Sequence, residues 1–203
     1  SLRVTFLYEL RNDNMTKSIV LYTGPSMLDG APIVVLATIG STNVKTGNLI
    51  QTWIMRSDIE PHIATKDGSD HSICGDCTRR HHTGGDCYIV VHQAPLSAWR
   101  AWDRAGRPSA DLDYAIKRLS MADSKGLRMG SYGDPCAVPS GIVWQPLISA
   151  LNPEICVGYT HQWRGVNISG KDSYSHWNWC RTNLMAASDN PSGAILASAG
   201  GGR

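Results

Sequence analysis

The sequence predicts an α/β protein: a βα-repeat half, forming a partial TIM-like barrel or an open parallel sheet, preceded by short N-terminal strands and a Cys/His-rich metal loop. Three observations carry this reading. Through the second half, apolar β-branched runs alternate with helix-periodic segments. In the first third, three strand-like runs are separated only by short turns. Between the halves lies a polar stretch of Gly, Asp, His and Cys, long for a structureless loop in a compact domain. A single domain is expected from 203 residues, since domains average roughly 150.

The N-terminal strands are SIVLYT (18–23), PIVVLATIG (32–40) and NLIQTWIMRS (48–57). Gly24-Pro25, Asp29-Gly30 and Thr46-Gly47-Asn48 supply the turn chemistry between them. Met15 opens a stretch that reads like a translation start, so residues 1–14 are expected to be upstream sequence or a short extra strand. They do not read as a signal peptide, because Glu9, Arg11 and Asp13 follow a short apolar stretch. At the other end, ASAGGGR follows a helix-like run, and a longer natural chain is expected.

Residues 58–87 are expected to form the metal loop, and 88–203 the βα repeats. CYIVVHQ (87–93) reads as a buried strand and APLSAWRAWDRAG (94–106) as the helix after it. SADLDYAIKRLSMA (109–122) reads as a helix capped by Ser109. GLRMGSYGD (126–134) is a strand, GIVWQPLISALN (141–152) a helix disturbed by Pro146, and ICVGYTHQW (155–163) a strand. TNLMAASD (182–189) is a fourth strand, PSGAILASAG (191–200) a short helix, and 164–181 fits neither pattern clearly.

Composition narrows the function classes. Hydrophobic residues make up 42% of the chain and the net charge is only +2, which excludes wholesale disorder. The longest apolar run, Ile33 to Ile39, is far shorter than the roughly 20 residues of a membrane span, so no membrane partner is expected. Phosphate-loop, nucleophile-elbow and HExxH motifs are all absent from the sequence.

The sharpest local signal is Cys74, Cys77, His82 and Cys87, spaced C-x2-C-x4-H-x4-C as in retroviral-type zinc knuckles. Zinc takes four soft or borderline ligands in a tetrahedron, and a C-x-x-C bend supplies two from one turn. Gly75, Thr78 and His81 stand where a knuckle carries aromatics and set glycines, which weakens a base-stacking role; His71 and His81 are alternative fourth ligands. A [4Fe–4S] cluster on the three cysteines is the alternative cofactor, although C-x2-C-x9-C departs from the C-x3-C-x2-C of radical-SAM enzymes. Free or redox-active thiols, or disulfides, are a third option.

In parallel α/β folds, ligands bind where strands end and loops open into a shared crevice. The expected strand ends place His92, Asp134, His161 and Asp189 as catalytic acid–base candidates, with Tyr132, Tyr159 and Gln162 as cofactor-binding residues. Each Asp has a plainer explanation, because Asp134-Pro135 and Asp189-Asn190-Pro191 are turn and cap signals. His161 has one too, as a hydrogen-bonded core histidine. The expected partner is an unknown small-molecule substrate. Arg79 and Arg80, with Arg100, Arg104 and Arg107, admit nucleic acid as an alternative partner, against a solvated basic face.

The run SICGDC…CYIVVHQAPLSAWRAW, with LRMGSYGDPCAVP, GYTHQW and NLMAASD, resembles a family of uncharacterised bacterial and bacteriophage proteins over about residues 50–203. The resemblance covers Cys74, Cys77, Cys87 and the GYTHQW motif position by position. It does not extend to His82, and it marks Cys136 as particular to this chain. It also implies that the natural protein continues into a second cysteine-containing segment. The combined expectation is a cytoplasmic metal-binding protein, possessing a strand-end cleft if it is an enzyme. The rival expectation is a non-enzymatic zinc module that contacts nucleic acid or a protein.

Overall fold

The computed structural model describes residues 18–40, 48–164 and 173–187. Its sheet holds six strands in sequential order: β1 (Ser18–Pro25), β2 (Pro32–Thr38), β3 (Leu49–Arg56), β4 (Gly126–Tyr132), β5 (Ile155–Thr160) and β6 (Met185–Ala186). β1, β2 and β3 pair antiparallel, and β3, β4, β5 and β6 pair parallel. Among the described residues the order runs from one edge strand to the other, which is the pattern of an open sheet.

The antiparallel half follows from its turns. Asp29 accepts from the Ala31 N–H, Gly30 adopts φ 79°, and the Ser26 N–H donates to the Ala31 carbonyl at 2.8 Å. Gly24 and Pro25 belong to the end of β1 instead of a turn. Ile33 through Ala37 are all fully buried, so both faces of β2 are covered.

Parallel pairing demands crossovers, and helices provide them. Between β3 and β4 run α1 (Pro61–Asp67), α2 (His71–Cys74), α3 (Ala94–Arg104) and α4 (Leu112–Ser120). α5 (Trp144–Leu151) joins β4 to β5, and α6 (Ser173–Asn183) joins β5 to β6. α3 turns Trp99 and Trp102 inward, and their indole N–H groups donate to the carbonyls of Arg56 (2.8 Å) and Pro108 (3.1 Å). α4 is capped by Asp111, whose carboxylate accepts from the Tyr114 N–H at 2.9 Å, and not by Ser109.

Two expectations for the middle of the chain are corrected. Residues 58–87 are not one loop. Pro61 starts α1 at a position where its missing N–H costs nothing, and Gly68 ends the helix in the left-handed conformation, φ 87°. Residues 87–93 form no strand: Tyr88 is 74% exposed and Val90 44%. β2 and β4 occupy both edges of β3, the strand that precedes this segment in the chain, so the segment does not pair beside it. The apolar run instead anchors through Val91, ahead of α3.

Candidate functional site

The site grows from the carboxyl end of β4. Gly133 adopts φ 80°, and a Cβ there would meet the Ile54 side chain at 2.7 Å, so the chain turns sharply into Asp134. The Asp134 N–H donates to the Ile73 carbonyl at 2.6 Å, which seats α2 over the strand end. Its carboxylate is buried and accepts three hydrogen bonds. Oδ1 takes the Cys136 N–H at 2.9 Å; Oδ2 takes the Thr160 hydroxyl at 3.0 Å and the His161 N–H at 2.9 Å. Burial raises the carboxyl above its ordinary range, against the pull of these donors. Asp134 and the His161 backbone therefore come together, with the carboxylate serving as a cap and a tie between β4 and β5.

The C-x-x-C bend lies beside this tie. Gln162 donates its amide N–H to the Cys74 carbonyl at 2.9 Å. The same amide packs on Gly75, where a Cβ would approach it to 2.4 Å. A buried Asp70–Arg80 pair holds the bend from the other side. Arg80 Nε donates to Asp70 Oδ1 at 2.9 Å, and the guanidinium also reaches the carbonyls of Gly68 (2.6 Å) and Gly75 (3.4 Å). Ser26 ties in the β1–β2 turn by donating to the Ser72 carbonyl at 2.6 Å.

Cys74, Cys77 and Cys87 are half-buried around this bend, and none of them is in a disulfide. Burial pushes the Cys74 thiol well up, and the charges of Asp70, Cys77, Asp134 and Cys87 push it the same way, so these groups are neighbours. Among the described residues, no three His, Cys, Asp or Glu side chains converge as a metal-binding group. His82 does not join the cysteines. Its ring packs on Gly68, with Nδ1 3.0 Å from the Lys66 carbonyl. That position belongs to a separate pocket of about 590 Å³, lined by His62, His81, His82 and His92 with Lys66. His92 is exposed in the turn before α3 and is not a strand-end residue, because the strand expected to carry it does not form.

The three expected cofactor-binding residues divide. Tyr132 and Gln162 are buried near the bend, whereas Tyr159 is 53% exposed on the other face of β5 from Thr160. The Tyr132 hydroxyl and the Gln162 Oε1 atom are buried without a hydrogen-bond partner. Burial raises the Tyr132 phenol well above its ordinary range, reinforced by Cys74, Asp70 and Cys87 and opposed by Arg80. Asp189 lies outside the described residues.

No family model, curated protein or solved structure matches this chain.

The structure also shows a cluster absent from the sequence reading. His176 and Cys180, on α6, meet Cys136 in the buried turn after Asp134. Their i, i+4 spacing is the signal that marks a shared helix face, but it lies in a segment where no helix was expected. Of the five arginines of the expected basic patch, Arg80 is buried on Asp70, Arg79 pairs with Asp86 at 2.8 Å, Arg100 with Glu60 at 3.0 Å and Arg107 with Asp103 at 2.6 Å, and Arg104 is exposed.

Proposed function

We propose that this is a metal-binding α/β protein in which Cys74, Cys77 and Cys87 hold the metal beside the carboxyl ends of β4 and β5. The observation that carries this is the pair of buried, partnerless oxygens of Tyr132 and Gln162 next to the C-x-x-C bend. An unsatisfied buried polar atom costs about 1–3 kcal/mol, which favours a site built for a further partner. The three thiols do not converge as they stand among the described residues, so loading would draw Cys77 and Cys87 in around Cys74, beside the two partnerless oxygens and the Gln162 amide packed on Gly75.

Zinc would supply Lewis acidity at that open position, and a [4Fe–4S] cluster would supply an open iron and redox chemistry. Within this chain, Asp134 keeps β4 and β5 in register at the site, Asp70 and Arg80 hold the bend, and Gln162 orients the Cys74 carbonyl. Cys74 must lose its proton to ligate, so loading releases protons and weakens toward acid pH. Membership of the bacterial and bacteriophage family suggested by the motifs belongs to the same proposal. The alternative is a zinc module on nucleic acid or a protein; of the arginines that suggested it only Arg80 is buried, on Asp70.

Metal analysis and a visible spectrum of protein purified without oxygen test the proposal, beside Cys74→Ser, Cys77→Ser and Cys87→Ser. Stoichiometric zinc or iron that each substitution removes is the expected result. Metal-free protein that gains neither zinc nor iron on reconstitution overturns it.

A further inference from the structure

We propose that Cys136 and Cys180 form a buried redox dithiol, oxidised by a small-molecule disulfide to a bond that ties the turn after β4 to α6. The cluster is separate from the Cys74 loop and independent of any metal there.

The geometry prepares one thiol to attack and the other to resolve. His176 Nδ1 faces Ser140, whose backbone N–H donates to it at 3.1 Å, which leaves the imidazole proton on Nε2. Nε2 lies 2.9 Å from the Cys136 carbonyl and 3.7 Å from the Cys180 sulfur. Cys180 therefore faces an imidazole N–H that supports its thiolate. The neighbouring Cys136 and His176 lower the Cys180 pKa to about 7, while burial pushes the Cys136 thiol well up and keeps it protonated. The Cys136 sulfur lies 3.2 Å from the Thr160 hydroxyl, which in turn donates to Asp134.

The chemistry balances. The Cys180 thiolate attacks one sulfur of the small disulfide, its S–S bond breaks and a thiolate leaves. Cys136, passing its proton to that leaving thiolate, then attacks the Cys180 sulfur of the mixed disulfide and expels the second thiolate. The protein loses two electrons, and the small disulfide is reduced to one thiol and one thiolate, which water protonates. Both cysteines are fully buried, so the oxidant reaches them only when α6 lifts from the turn. The rate should level off at high oxidant concentration.

The experiment treats the purified full chain, with any metal it carries, with glutathione disulfide under native conditions. Remaining thiols are then alkylated in denaturant and the digest is mapped. A Cys136–Cys180 linked peptide, reversed by dithiothreitol and absent from Cys136→Ala and Cys180→Ala, is expected. Tm should rise by several degrees, because the bond closes a loop of about 45 residues. Oxidation that stops at glutathione adducts, or links only Cys74, Cys77 and Cys87, overturns the proposal. Should either variant fail to fold, the map of the unsubstituted chain decides alone.

Discussion

The two sides of the β4 end treat buried polar atoms in opposite ways. On the α6 side, Asp134 accepts three hydrogen bonds, His176 uses both ring nitrogens, Cys136 meets the Thr160 hydroxyl and Cys180 meets His176. On the α2 side, at the same depth, the Tyr132 hydroxyl and Gln162 Oε1 have no partner. A satisfied network specifies a fold, and an unsatisfied one stores affinity for something else. That contrast separates the structural carboxylate from the candidate binding site, although both stand at one strand end.

Removing the satisfied acceptor should do the most damage. Asp134→Ala strands the Cys136 and His161 N–H groups and the Thr160 hydroxyl, and about 3–5 kcal/mol of stability should vanish in denaturant titration. A loss below about 1 kcal/mol would break the contrast.

Next in size is a pH effect at Cys180. An unfolded thiol keeps its proton to about 9, while the folded one, beside Cys136 and His176, releases it near 7. Between those values the unfolded chain binds more protons, so stability rises with pH, by at most about 3 kcal/mol, and this gain is lost as pH falls through 7. Cys180→Ala should flatten the profile over this window. An unchanged slope in the variant would mean that Cys180 is not the group responsible.

Tyr132→Phe sharpens the comparison from the other side. Deleting a partnerless hydroxyl should leave metal-free protein unharmed or more stable by up to about 1 kcal/mol. In metal-loaded protein the same change should lower stability or metal retention. Equal destabilisation of both forms would show that the hydroxyl has an internal partner. The smallest effect is expected at His82→Ala, whose ring packs away from the cysteines: metal content unchanged and stability within about 0.5 kcal/mol. Metal loss there would restore the four-ligand spacing read from the sequence.

The failures of sequence reading have local causes. Cys87–Gln93 has strand composition, but strand formation depends on cross-strand and same-face neighbours that composition does not reveal. Residues 58–87 hide α1 behind polar residues, although Pro61 and Gly68 mark its ends. The C-x-x-C…H spacing fits zinc on paper, yet the chain between Cys77 and His82 turns the ring onto Gly68.

What the amino-acid order determined by itself is local. The three N-terminal strands, α3, α4, β4 and β5 each follow from apolar periodicity and turn chemistry within a few residues. So does the grouping of Cys74, Cys77 and Cys87, since the bend and the short return to Cys87 are near in sequence. Only the tertiary structure decided which strand ends become neighbours. It placed Thr160 and His161 on Asp134, Gln162 on Gly75, and Cys180 against Cys136. Those pairs are 26 to 87 residues apart along the chain, and burial against a shared sheet, not local preference, brings them together.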